Sequence, residues 1–311
     1  MKVGFIGLGT MGGSMAYNAL QGGHELVVHD IRQESATRHL EAGAVWADTP
    51  LAVAEASDIV LTSLPGPVEV EAVALGEDGI GQGLTAGKVY IDLSTSTPSL
   101  IRKIHLELGA RGIDVLDAPV SGGPRGAASR NLAIWVGGDR AVFDRCRPVL
   151  DAIGDKAYYV GDIGCGSIAK LVHNCTGYVV QAALAEVFTM GVKAGVEPLA
   201  LWQAVRRGAQ GRRGTFEGLA EHLLPGNFDP PDFALRLARK DVDLAVAVGR
   251  EFDVPMRLAN LALMEMTEAI NRGWGDRDSR VAMLLQEERA GVEVRVDPEV
   301  LAKILEDEKN G

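Results

Sequence analysis

Lys170 and Asn174 stand four residues apart in KLVHN, at the head of a long apolar run, LVHNCTGYVVQAALAEVFTMGV. Such a run reads as a buried helix, where a charged lysine is costly unless it is paired or hydrogen-bonded. Positions i and i+4 share one helix face, so the amine and the carboxamide address the same space. An amine facing a cleft, its pKa lowered by partial burial, is suited to general acid/base work on an alcohol or carbonyl oxygen that the amide also holds. The competing reading is a surface lysine whose stem lies along the helix while its head stays in water.

A second constellation opens the chain. Gly7-Leu8-Gly9-Thr10-Met11-Gly12 is a GxGxxG that follows a strand-like segment and opens a helix, with Asp30 ending the next strand, 18 positions after Gly12. That context marks a dinucleotide site. The first glycine makes the tight turn, the second lets the backbone approach a pyrophosphate, and the third lets helix pack on strand. The anion meets the free N–H groups of the helix N-terminus. Asp30 is placed to accept from the adenosine ribose hydroxyls, which favours NAD. Arg32 is a cation within reach of a 2′-phosphate, the mark of NADP, but Asp30 would repel that phosphate. LPGP (64–67) and STSTP (94–98) follow two further strands, at the end where ligands bind in open α/β sheets. There Ser94 and Thr95 either offer hydroxyls near the nicotinamide or cap a helix.

DAPVSGGPRGA (117–127) follows another strand. Successive amides at Ser121, Gly122 and Gly123, free of bulky side chains, make a concavity for an anion, with a carboxylate as the natural guest; the alternative is a glycine turn that only redirects the chain. KDVDLA (240–245) puts Lys240 on an amphipathic helix, either closing the cleft from a second domain or sitting on a solvated face.

The elements that must position these groups alternate in the first half. Strands are expected at 2–7, 25–29, 58–64, 88–94, 113–120 and, near the sheet edge, 131–138. Helices are expected at 11–21, 33–42 and 98–110, the last with Pro98 in its first turn. Strand–helix alternation implies βαβ units and a parallel sheet. After about residue 162 the strand period disappears and helical runs take over: 166–195, 197–207, 213–224, 232–249, 255–271 and 278–289, with a short amphipathic tail that frays. The expected architecture is a Rossmann-type NAD-binding domain over 1–162 followed by an all-α substrate and oligomerisation domain over 163–311, the helix that starts near Gly166 serving as connector.

Composition narrows the function. The 311 residues are 47% hydrophobic and 23% charged, enough for a core without disulfides, and 31 basic against 42 acidic residues give a net charge of -11. That argues against nucleic-acid and anionic-membrane partners. Cys146, Cys165 and Cys175 form no CxxC pair, which fits reduced thiols in the cytoplasm, and no metal site is expected. The start, MKVGFIGLGT, reads as strand and turn rather than as a signal peptide. His173, Asn174, Gln181 and Glu186 argue against reading the apolar run as a membrane span.

Together GLGTMG, DAPVSGG, the GxxxKxxxN of Gly166–Asn174, KDVDLA and GWGDRD (273–278) resemble, in order and spacing, the β-hydroxyacid dehydrogenase family, over roughly residues 2–290. The resemblance implies Lys170 as catalytic acid/base with Asn174 assisting. It implies Ser121, Gly122 and Gly123 on the substrate carboxylate, Lys240 at the nicotinamide and substrate, and Leu64, Pro65 and Thr95 against NAD. It also implies a small anionic substrate and a homodimer or homotetramer. Two features depart from the family: His173 stands where an asparagine is common, and RRGAQGRR brings Arg206, Arg207, Arg212 and Arg213 together. Those arginines either read a second anion on the substrate or act as helix C-terminal cations. A related reductase of imines or of sulfonated or phosphorylated aldehydes is the nearer alternative, and a non-catalytic NAD-binding scaffold the further one.

Overall fold

The computed structural model describes residues 1–212, 219–251, 253–291 and 293–310. The chain divides into two compact units, Met1–Thr176 and Gly177–Gly311. The long helix Cys165–Lys193 starts in the first and ends in the second.

The first unit is built on a sheet that contains nine strands among the described residues. They are β1 (Lys2–Ile6), β2 (Glu25–His29), β3 (Val45–Trp46), β4 (Ile59–Thr62), β5 (Val89–Asp92), β6 (Asp114–Asp117), β7 (Val120–Ser121), β8 (Ala133–Gly137) and β9 (Lys156–Gly161). The order is β3-β2-β1-β4-β5-β6-β8-β7, with β9 also paired to β8. Strands β1 to β6 are parallel; β8 runs antiparallel to β6 and β7 and parallel to β9. Central strands β4 and β5 are buried at every position, as covering on both faces requires, and their sequences IVLT and VYID are accordingly near-continuous apolar runs.

Side chains alternate between two cores, one on each face. Val3, Phe5, Leu61 and Ile91 belong to one, with Met15 and Ala19 from the helix Gly12–Gln21 and Phe143 and Leu150 from Arg140–Ile153. Ile6, Val60 and Tyr90 belong to the other, with Val53, Val70, Ile101 and Ile104 from the helices on that side. This is a doubly wound sheet, and its order reverses at β1, between β2 and β4. The crevice beyond the carboxyl ends there is where such sheets bind ligands.

The second unit is helical among the described residues: Pro198–Arg207, Leu235–Glu251, Arg257–Asn271, Leu284–Ala290 and Pro298–Asn310, with short helical turns between. One small core gathers Leu223, Phe228, Leu235, Ala269, Val281 and Leu285; another gathers Val246, Val254 and Met256. Buried Asp278, the last residue of GWGDRD, collects the Asp232, Phe233 and Arg280 amides and the Arg280 guanidinium. Burial raises its pKa, but those donors outweigh it and hold the carboxyl below the usual value.

Most expected elements lie within a residue or two of the observed ones, with instructive differences. The helix expected at 33–42 splits into a 3-10 turn, Gln33–Ala36, and a short helix, Thr37–Glu41. Strands β3 and β9 were not expected: β3 has two residues, too few to show a period, and β9 (KAYYVG) is an edge strand with no fully buried position. β8 therefore lies one strand in from the edge. The first half of the helix expected at 213–224 falls outside the described residues, and Leu219–Leu223 forms a short helical turn. No described helix is long and apolar enough to cross a membrane.

Candidate active site

The glycine turn lies at the sheet's switch point. Gly7 has φ +92°, and a Cβ there would stand 2.3 Å from the Ser63 carbonyl oxygen. Gly12 opens the helix so close to the turn that a Cβ would meet the Gly7 oxygen at 1.9 Å. A Cβ on Gly9 would meet nothing within 4 Å, so its backbone faces open space. The helix Gly12–Gln21 has no side-chain cap and no acid in its first turn. Gly13 and Ser14 donate back to the Gly9 and Met11 carbonyls, so it is the amides of the turn ahead of them that suit an anion in that space.

A cavity of about 680 Å³ lies before this turn, walled by Gly7, Gly9, Thr10, Met11 and Gly12, by Asp30 and Arg32 after β2, and by Leu64 and Pro65 after β4. Leu8 is buried behind it. Asp30 is buried, and its carboxylate accepts from the Leu8 amide at 2.7 Å and the Arg32 amide at 2.9 Å. It braces the glycine turn while bordering the cavity, a role no motif announced. A glycine turn suited to a phosphate, an acid after the second strand and an apolar wall form a set of groups that fits a nicotinamide dinucleotide. Thr95 is exposed and is not one of these walls. Ser94 is buried, its hydroxyl accepting from the Leu64 amide at 2.9 Å, and the helix Pro98–Gly109 is capped by Thr97 instead.

Beneath those loops lies a buried polar chain. Thr62 donates to Asp92 Oδ1 at 2.9 Å and meets the Tyr90 hydroxyl at 2.9 Å, and the Ser94 amide donates to the same carboxylate at 3.0 Å. Burial pushes the Asp92 carboxyl up to about 6, against the pull of the Ser94 and Thr62 hydrogen bonds and with a smaller push from Asp117.

Asp117, at the end of β6, anchors the long helix. Its two carboxylate oxygens accept from the Gly164 amide at 2.7 Å and the Ser167 amide at 2.6 Å. Gly166 makes that seat possible: a Cβ there would lie 2.4 Å from the Trp135 oxygen and 2.6 Å from the Asp117 oxygen. From this fixed end, one turn brings Lys170 over Trp135 of β8, its ammonium 6.0 Å from the ring centroid. Lys170 is half-buried, and burial lowers its pKa below 10.5. His173, one turn on, lies with its ring 5.0 Å from the Trp135 ring and its Nε2 3.1 Å from Ser121 Oγ. Asn174 is half-buried on the adjoining position.

The structure thus gathers Lys170, His173, Trp135 and Ser121 in the first unit. Gly122 (φ +142°) and Gly123 (φ +63°) follow Ser121 in conformations that side-chained residues rarely adopt. A Cβ on Gly122 would also press the Asn131 oxygen at 2.7 Å, so this sequence of glycines is a backbone requirement. Trp135 and Asp117 were not singled out from the sequence as site residues. An aromatic within an otherwise aliphatic strand (NLAIWVGG) and an acid at a strand's carboxyl end were the available signals.

Lys240 lies in the helix Leu235–Glu251 of the second unit, and its side chain falls outside the described residues, as do the side chain of Arg212 and all of Arg213. Arg206 lies over Trp202 at 5.0 Å, and with Arg207 it lines a cleft of about 510 Å³ in that unit.

Residues 2–161 match the family described as the NAD binding domain of 6-phosphogluconate dehydrogenase. Residues 164–285 match that described as NAD-binding of NADP-dependent 3-hydroxyisobutyrate dehydrogenase. The chain is 36% identical to 2-(hydroxymethyl)glutarate dehydrogenase of Eubacterium barkeri, over 94% of its own length and 97% of that protein's. It is 34% identical to 3-hydroxyisobutyrate dehydrogenase of Pseudomonas aeruginosa, over 84% and 89%. An imine reductase structure from Bacillus cereus superposes with a TM-score of 0.78, covering 92% of this chain and 99% of that one, at 19% identity; at that identity the likeness is one of fold.

Proposed function

Because the chain belongs to the β-hydroxyacid dehydrogenase family, we propose that it is an NAD(P)-dependent oxidoreductase that interconverts a small β-hydroxy acid and its semialdehyde or 3-oxo acid. One observation carries this reading. The Asp117-anchored helix sets Lys170 on the same Trp135 and His173 surface that touches Ser121. A proton-transfer group and a carboxylate-binding loop then share one face, as a hydroxy acid requires.

The nicotinamide, when bound, supplies the acceptor for the hydride that leaves the hydroxyl carbon. Lys170 as free amine takes the hydroxyl proton and, in the reverse direction, returns it as ammonium. Its lowered pKa makes the free amine more available than it is in an exposed lysine. The Asn174 carboxamide, one turn on, holds the same oxygen. Ser121, Gly122 and Gly123 hold the carboxylate through amides and one hydroxyl, which fixes the substrate at its other end. Leu64 and Pro65 form the cofactor's apolar wall.

NAD is the preferred cofactor on this reading. Asp30 supports that, being buried at the cavity wall where a 2′-phosphate would meet its charge; Arg32 is the opposing feature. The 36% identity to an enzyme named for a dicarboxylate supports a small anionic substrate. Absence of a CxxC pair and the net charge of -11 support a cytoplasmic enzyme that contacts neither nucleic acid nor membrane. A spectrophotometric screen of 3-hydroxyisobutyrate, glycerate, serine and 2-(hydroxymethyl)glutarate with NAD and NADP tests all of this. Turnover of at least one acid is expected, with a higher kcat/KM for NAD. A ratio favouring NADP would overturn the cofactor preference, and no turnover despite dinucleotide binding would overturn the enzyme reading.

A further inference from the structure

We propose that His173 is a positioning residue for the substrate carboxylate, acting through Ser121. The inference rests on the reading of Ser121–Gly123 as the carboxylate loop and asks what this chain does with a histidine there.

The imidazole is held on two sides. Its ring lies against Trp135 at 5.0 Å between centroids, and its Nε2 is 3.1 Å from Ser121 Oγ. It therefore ties the long helix to the end of β7, at the one side chain of Ser121–Gly123 able to donate to an anion. A serine hydroxyl has a single proton. With the hydrogen on Nε2, His173 donates to Oγ, and the hydroxyl proton is left for the carboxylate. The two donors then line up toward the anion and polarise one another. With the hydrogen on Nδ1, Nε2 would instead accept that proton and the loop would lose its side-chain donor. An incoming carboxylate selects the first arrangement. Lys170, one turn earlier on the same helix, shares the Trp135 surface, so His173 sets the carboxylate end of the substrate relative to the group that moves its proton.

The test is a double-mutant cycle on the intact chain: His173→Ala, Ser121→Ala, the double variant, and His173→Gln, whose amide reaches about as far as Nε2. Each is assayed with the screened acid of highest kcat/KM. His173→Ala is expected to raise the KM for the acid about three- to tenfold, the loss of one hydrogen bond, with kcat within twofold and the dinucleotide KM unmoved. In the Ser121→Ala background the same change is expected to alter the KM by less than twofold, and His173→Gln is expected to restore most of the loss. Independent, multiplicative effects of the two substitutions would overturn the proposal. So would an unchanged KM, or a kcat loss without a KM change. Lys170→Ala, run beside them, separates the layers. Turnover lost in Lys170→Ala, with the KM for the acid unchanged in the His173 variants, sinks the His173 proposal alone. No turnover of any screened acid by the parent, with dinucleotide binding retained, sinks both.

Discussion

At the scale of single residues, burial changes two groups in ways that can be measured. Desolvation lowers the Lys170 pKa below 10.5. Oxidation should therefore speed up as pH rises and the amine loses its proton, with an inflection below that of a free lysine, and reduction should slow over the same interval. Lys170→Ala should lower kcat by about 10²- to 10⁴-fold, the usual worth of a positioned acid/base, while dinucleotide affinity measured by fluorescence stays the same. Near-parental turnover in that variant removes the mechanism. Asp92 moves the other way, from 3.8 to about 6, because burial disfavours its charge. Between those values the native chain holds a proton that the unfolded chain releases. The stability it contributes is complete below about pH 4 and is lost as pH rises through about 6. Asp92→Asn keeps an acceptor for the Thr62 hydroxyl and the Ser94 amide but removes the charge. At pH 8 it should be more stable than the parent by up to about 3 kcal/mol, with the difference fading toward pH 4. Urea midpoints at both pH values decide this; equal midpoints at pH 8 would show that the carboxylate is not strained there.

Among elements, the helix that carries the chemistry depends on one acid behind it. Asp117 satisfies the amides of Gly164 and Ser167 in a buried setting. Asp117→Ala leaves both without a partner, at about 1–3 kcal/mol each. The expected result is a clear fall in Tm together with a loss of kcat, since the start of the Lys170 helix is no longer held; a Tm unchanged within 2 °C would contradict it. Asp117 was legible as part of a motif but not as an anchor. Its partners are 47 and 50 residues away, and no local period encodes contacts of that reach. The same holds for Asp30, whose acidic position after the second strand was readable while its bond to the Leu8 amide was not. What could be read was local: the glycine spacing, the i, i+4 pair Lys170 and Asn174, and the apolar runs of β1, β2, β4 and β5. What could not be read was short or half-covered, as with β3 and β9. Nor did spacing alone reveal the meeting of His173 with Ser121, which needs β7, β8 and the long helix packed together.

For the molecule as a whole, the sequence separated a strand–helix half from a helical half because the hydrophobic period changes once, near residue 162, and the parallel sheet and helical unit follow from that change. On the long helix, Val180, Leu184 and Val187 are 38%, 48% and 38% exposed. They are spaced i, i+4, i+7, so they form one stripe on one face. Water-facing helices of single chains seldom present such a stripe, and contiguous exposed apolar surface usually marks an interface. We propose a second copy of this chain as the occupant. A homo-oligomer closed by symmetry would present the same stripe from both partners, and burial of these side chains would drive association. A charge at the centre of the stripe should then be borne poorly by the assembly and well by the isolated chain. Leu184→Glu is predicted to shift light-scattering mass at micromolar concentration from a multiple of the chain mass to that of one chain, with far-ultraviolet circular dichroism unchanged. If the parent itself sediments as a single chain, or if Leu184→Glu assembles as the parent does, this stripe is not the interface.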